Sequence, residues 1–173
     1  MRRCRSCGRS GVGTLSETAS RKGLPLANEF HYCVSLSIVH PTFDPKVITA
    51  AITTLEPRIQ VMAGTDRLGK DGKPIMPERK VAISHWLADL HKEDRLYSGD
   101  KPISDFLLDQ LTKLESHRPL FAELAKEGEV VFRIGWFSDS NYSAEVLSAE
   151  TLKKCGDLGV DLELNFYGPG NAK

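Results

Sequence analysis

The chain has 173 residues, enough for one domain, since a folded chain of about 150 residues buries roughly 68–70% of its unfolded surface. Lys plus Arg and Asp plus Glu both number 23, and this zero net charge argues against nucleic-acid binding, which needs a basic excess. No apolar run reaches about 18 residues, so no transmembrane helix is predicted. No apolar segment follows the basic start, which excludes a signal peptide. We therefore expect a cytoplasmic protein without membrane contact.

The N-terminal residues 1–29 are rich in Gly, Ser, Arg and Thr and lack apolar periodicity, which predicts a disordered basic tail. A role for this tail in binding nucleic acid ranks third among our functional hypotheses, because no aromatic residues are interleaved to stack on bases. The folded domain is expected over residues 30–168, followed by a short tail at 169–173.

Cys4 and Cys7 have the spacing of a zinc ribbon, but a structural zinc needs four ligands. His31 could be a third ligand, whereas Cys33 and Cys155 fall singly on a predicted strand and a predicted helix. We therefore expect no metal and no other cofactor. The alternative explanation of this stretch is a start codon placed too far upstream.

The first half of the domain predicts a strand, a helix and two further strands. Apolar residues alternate from Tyr32 to Ile38, and Asp44-Pro45 then has the form of a helix N-cap followed by proline at the first helical position. The helical stripe continues to Leu55. The segments "RIQVMAG" and "VAISHWL" predict antiparallel strands joined by a polar loop over residues 64–80, and "EDRLYSGDKP" predicts another loop.

The second half predicts helices around two strands. Helical spacing over residues 103–124, interrupted by Pro119, indicates two helices or one kinked helix. The strand "VVFRIGWF" follows, and then a short helix that begins after Ser148 and ends at Gly156 or Gly159. The last strand, "VDLELNF", is predicted to point its apolar residues inward: Val160, Leu162, Leu164 and Phe166.

These elements predict an α+β fold with a mostly antiparallel sheet and helices packed on one face. A parallel sheet covered on both faces would show continuous apolar strands instead of alternation. The first six elements match a ferredoxin-like order, and one extra helix-strand unit follows.

Several segments in order carry a family resemblance: "FDPKVITAAITTLEP", "VMAG", "SHW", "FRIGWF" and above all "LSAETLKKCGDLGVDLELNFYG". On these segments, residues 30–168 resemble the bacterial family called domain of unknown function 4279. The resemblance implies one compact α+β domain and names no activity. Some small families of this kind look like immunity or accessory proteins beside toxins, which is an analogy only.

Two places in the sequence are candidate binding sites. At "HPTFD", His40 and Asp44 follow the first strand, and His40 could bind an anion or act as an acid or base. The alternative is that Asp44 only caps the helix and His40 is a turn residue.

The second place lies at the ends of the two tryptophan-containing strands. Its candidate residues are His85, Trp86, Trp136, Ser138 and Asp139. Tryptophan is common in the binding hot spots of interfaces; the alternative is that both rings are core or rim packing. If these strand ends met the "HPTFD" turn, all the candidates would form one site.

No nucleotide-binding, serine-hydrolase or metalloprotease motif occurs in the chain. Our leading hypothesis is therefore a non-catalytic module that binds another protein, in an immunity-like or accessory role. The alternative is a small-molecule-binding domain or a minor hydrolase that uses His40, Asp44 and Asp139.

Overall fold

A computed structural model describes residues 29–67, 72–73, 80–140 and 142–168. Residues 1–28, with Cys4 and Cys7, and residues 169–173 lie outside the described residues, and so does most of the predicted loop 64–80. The strands are β1 (His31–His40), β2 (Pro57–Val61), β3 (Ser84–Asp89), β4 (Leu96–Tyr97), β5 (Glu129–Phe137) and β6 (Asp161–Tyr167). The helices are α1 (Pro45–Ala51), α2 (Ile103–Leu114), α3 (Arg118–Leu124) and α4 (Ala149–Leu158), with a 3₁₀ turn at Glu115–His117 between α2 and α3.

The strands form one sheet in the order β2-β3-β1-β5-β6, and the short β4 pairs with the start of β1. All pairings are antiparallel except that of β5 with β6. Because β3 lies between β1 and β2 and runs against both, β1-α1-β2 is a split βαβ unit of the ferredoxin-like kind. The α4–β6 unit extends that arrangement at one edge, and the predicted α+β class is confirmed.

One face of the sheet and all four helices enclose the core. Tyr32, Val34, Leu36 and Ile38 of β1 are almost fully buried there, because alternate strand residues share a face. Each helix adds apolar residues to the same cluster. We call the other face the open face; it carries Cys33, Ser35, Ser37 and Val39 of β1 together with their cross-strand partners.

The helix ends follow the expected capping chemistry. The Asp44 carboxylate accepts the Lys46 N–H at 2.9 Å, and the Ser148 hydroxyl accepts the Thr151 N–H at 3.0 Å. Gly159 ends α4 with φ of 72°, a left-handed conformation that favours glycine. In the described part of the chain, none of the helices is long and apolar enough to span a bilayer.

A cluster of three hydroxyls joins α2 to the start of α4. The Ser104 and Thr151 hydroxyl oxygens are 2.9 Å apart, and the Ser148 hydroxyl lies 2.9 Å from that of Thr151. The Ser148 N–H donates to the Ser104 hydroxyl at 2.9 Å. Since Ser104 and Thr151 are buried, these bonds hold the added α4–β6 unit at a defined position on the core.

Some predicted boundaries are wrong. The first helix ends at Ala51 rather than near Leu55, where Ile52, Thr53 and Thr54 form a β-branched run that disfavours helix. The predicted loop 93–102 contains β4.

The prediction for β6 is also corrected in part. Val160 is buried and Leu162 is partly buried against the core, whereas Leu164 and Phe166 are exposed. Alternation gave the correct side of the sheet for these residues, but the helices do not cover the far end of this edge strand.

Candidate functional site

The strand register divides the candidate residues between the two ends of the sheet. Val39 at the end of β1 pairs with His85, whereas Tyr32 near its start pairs with Trp136. Seven residues of strand separate these two positions, roughly 24 Å at the usual rise. His40, Asp44, His85 and Trp86 therefore lie at one end, while Trp136, Ser138 and Asp139 lie at the other. The structure does not bring them into one site.

Both tryptophan rings belong to the core. Trp86 is fully buried, and its indole N–H donates to the Thr49 hydroxyl at 2.9 Å. Trp136 is 6% exposed, stacks on Phe30 at 3.9 Å between ring centroids and donates to the Ser143 hydroxyl at 2.8 Å. The expectation that these rings stand at a rim where they can anchor a partner is corrected, since neither presents a free surface.

His40 organises the turn between β1 and α1. Its Nδ1 accepts the backbone N–H groups of Thr42 and Phe43 at 3.1 and 2.9 Å, so that lone pair is engaged and the ring proton belongs on Nε2. Asp44 is engaged as the helix cap, as described above. Asp139 is exposed at the opposite end of the sheet, so it does not share a catalytic centre with His40 and Asp44 as the hydrolase alternative requires.

Ser138 also has a local structural role. Its hydroxyl accepts the Ser140 N–H at 3.2 Å, and its own N–H donates to the Tyr167 carbonyl at 3.2 Å. These bonds close the turn after β5 and tie it to the end of β6.

Neither described cysteine has the environment of an activated nucleophile. Burial raises the pKa of the half-buried Cys33 thiol, and burial likewise raises the pKa of Cys155 in the core. A raised pKa keeps a thiol protonated at neutral pH. Among the described residues, no group of three or more His, Cys, Asp or Glu side chains could hold a metal ion.

His85 borders a concavity of the open face. A cleft of about 1010 Å³ lies between this face, the start of α1 and the described residues 62–67 and 80–83 that follow β2 and precede β3. The His85 Nε2 is 3.2 Å from the Ser37 hydroxyl, and burial, followed by the positive charge of Arg133, lowers the pKa of the imidazole. Asp44 lies on the same cleft. Of the predicted candidates, these two residues line the cleft.

A second surface, missed from the sequence, lies on β6. Phe166 is 66% exposed and leans on Trp136 with 5.5 Å between ring centroids. Tyr167 stacks on Phe137 at 4.7 Å, and the Arg95 guanidinium lies 3.8 Å from the centre of the Phe137 ring. We call Leu164, Phe166 and Tyr167 the β6 edge surface. The sequence could not predict that Leu164 and Phe166 are exposed, because a strand covered by helices and an uncovered one show the same alternation of apolar and polar residues.

Comparison with protein families gives one match. The family model described as "Domain of unknown function (DUF4279)" matches residues 28–169. Comparisons with curated proteins and with solved structures gave no match.

Proposed function

Because the chain belongs to the DUF4279 family, a membership that names no activity, we propose from its own geometry that it is a non-catalytic protein-interaction module. The partner docks on the β6 edge surface. An immunity-like or accessory role, in which one protein holds another, is the setting we propose for it.

The observation that carries this proposal is the exposure of apolar side chains along a sheet edge. Leu164, Phe166 and Tyr167 are 39%, 66% and 45% exposed. In the described residues β6 pairs only with β5, so its outer backbone groups are available for another strand. Such an edge can accept an added strand, with main-chain hydrogen bonds supplying affinity and alternate side chains supplying specificity.

The side chains on the two sides of β6 indicate which residue types a partner strand needs. On the helix side, Leu162, Leu164 and Phe166 call for apolar residues at every second position of the partner. On the open side, Glu163 already lies 3.0 Å from Arg133 and accepts the Asn165 side-chain N–H at 3.0 Å. The partner therefore needs neutral polar residues on that side, and a repeated acidic residue would be repelled.

The experiment compares Phe166→Lys with Val47→Lys after gentle purification from the native host and native mass spectrometry. Val47 is a matched control, since it is an apolar residue 49% exposed on α1, away from β6. We expect the wild type and Val47→Lys to carry a stoichiometric partner, either another protein or a second copy, and Phe166→Lys to lose it. A charge on an edge strand opposes strand pairing, while exposed substitutions change the free energy of unfolding by only about 0.5 kcal/mol.

Hydrogen exchange supplies the second readout. In the complex, the outward-pointing amides of β6 should exchange more slowly than in the isolated protein. A partner that stays bound to Phe166→Lys would contradict the proposal, and so would a wild-type protein that carries nothing.

A further inference from the structure

The cleft on the open face has the size of a small-molecule site. Its volume of about 1010 Å³ lies at the upper end of the usual range of about 300–1,000 Å³. The floor is formed by Val39, His85 and Arg133 on three adjacent strands, so it rests on the rigid centre of the sheet.

The two carboxylates on the cleft are already engaged. Asp44 accepts the backbone N–H of Lys46 as the cap of α1, and Asp66 forms an ion pair with Lys80 across the β2–β3 connection. Lys80 balances the charge of Asp66, while Asp44 keeps its charge at the start of α1 and is the remaining carboxylate of the lining.

Cationic side chains remain in excess. Lys46, Arg67, Lys80 and Arg133 line the cleft against these two carboxylates. In the described part of the chain, Lys46 and Arg67 make no ion pair. The lining thus has a positive potential that attracts an anionic group.

The Nε–H of Arg133 is a hydrogen-bond donor whose capacity is not used. Its Nε lies 3.0 Å from a Glu163 oxygen, yet the N–H does not point at that oxygen, and the buried Nε makes no directed hydrogen bond. The charge of Arg133 is therefore partly balanced while its donor capacity is not fully used.

The rest of the lining is largely apolar. Val61, Val81 and Pro45 contribute to the walls, and Met62 and Ile83 are exposed. His85, whose pKa is lowered by burial, is a neutral ring at neutral pH, and Ser37 is the one described residue that bonds to its side chain. A bound ligand would therefore contact apolar side chains, one neutral imidazole and several cationic side chains.

We propose that this cleft binds a small amphipathic anion. Lys46, Arg67 and Arg133 hold its carboxylate or phosphate group, and its apolar body rests on Val61, Met62 and Ile83. This site is independent of the β6 edge surface, which lies across the sheet, so either assignment can fail alone.

The test uses the full chain and two probes of the same shape, 4-phenylbutyrate and the neutral 4-phenylbutan-1-ol. Binding is followed by the amide NMR shifts of Val61 and Val81. We expect the carboxylate to bind at least about tenfold more tightly than the alcohol, because hydrogen bonds to a charged group are stronger than those between neutral groups. The Lys46→Gln/Arg67→Gln variant should lose about tenfold in affinity for the carboxylate and little for the alcohol.

Lys92→Gln is the control, since Lys92 is an exposed lysine outside the cleft. It should leave both affinities unchanged. Equal affinities for the two probes would show that the cleft does not recognise charge and would overturn the proposal. Binding of neither probe, or shifts confined to the β6 edge surface, would also overturn it.

Discussion

The two edge strands of the sheet are built differently. β2 has five residues, begins at Pro57, carries the charged Arg58 and has an irregular register between Pro57 and Ile59. β6 has seven residues in regular register with β5, contains no proline and exposes Leu164 and Phe166.

Short length, proline, charge and bulges are the features that keep edge strands from pairing with other chains. The β2 edge has all of them, whereas in the described residues β6 has only the acidic side chains of its open side. Within this part of the chain, the β2 edge disfavours strand addition and the outer backbone groups of β6 are unpaired. The proposed function rests on this asymmetry, and four substitutions test how far it extends.

The largest effect is expected from the tryptophans that support the two edges. Trp86 pairs with Gln60 of β2, and Trp136 pairs with Phe166 of β6. Trp86→Ala and Trp136→Ala should each lower the free energy of unfolding by about 3–5 kcal/mol, because each removes a buried ring and leaves a cavity. Urea unfolding followed by circular dichroism measures both.

Equal losses in the free energy of unfolding would mean that the rings beside the two edges contribute equally to stability. The edges would then differ only in their ability to pair with another strand. A loss below about 1 kcal/mol for Trp136→Ala alone would contradict this, because it would mean that the ring adds little to the core beside β6.

Gly135→Ala should have an intermediate effect on the β6 side. A Cβ at this position would lie 2.7 Å from the Cys33 Sγ and 3.1 Å from the Phe137 Cε2. We expect a loss of about 1–3 kcal/mol, since overpacking outweighs the roughly 0.4–1 kcal/mol that alanine gains over glycine in the unfolded state. The double variant Cys33→Ala/Gly135→Ala should recover part of it in the same urea titration. A single variant as stable as the wild type would mean that the Cys33 and Phe137 side chains move aside to admit the methyl group.

The smallest effect is expected at the β2 edge. Arg58→Val removes an ion pair with Asp89 whose atoms are 3.5 Å apart and largely exposed, and such pairs contribute roughly 0.2–1 kcal/mol. Because Pro57 and the bulge remain, the variant should keep the oligomeric state of the wild type in light scattering. New self-association would show that Arg58 alone protects this edge.

The amino-acid sequence was a good guide to local structure. Alternation located five of the strands, and capping chemistry at Asp44 and Ser148 placed two helix starts. Gly159, which ends α4, is one of the two glycines that the sequence offered for that end. These features depend on neighbouring residues in the chain, so they can be predicted without knowing the fold. The two-residue β4 was missed because a strand of that length is too short to show alternation of apolar and polar residues.

The candidate site was predicted less well because it depends on register. Both tryptophans lie near strand ends in sequence, but the antiparallel pairing of β1 with β5 puts Trp136 beside Tyr32 and far from His85. The cleft was also missed, because its walls combine β2, β3, α1 and β5. Which side chains meet across strands is a property of the sheet order, and alternation within one strand does not contain it.

The hydroxyl cluster of Ser104, Ser148 and Thr151 has a consequence for how the protein responds to its surroundings. The cluster contains no ionisable group and is largely buried, so neither proton concentration nor dissolved salt alters its hydrogen bonds. The connection between α4 and the ferredoxin-like part of the fold should therefore keep its strength in dilute or concentrated buffer, on either side of neutrality. Contacts made by β6 would then be presented at a constant angle while the charged cleft changes its affinity with ionic strength.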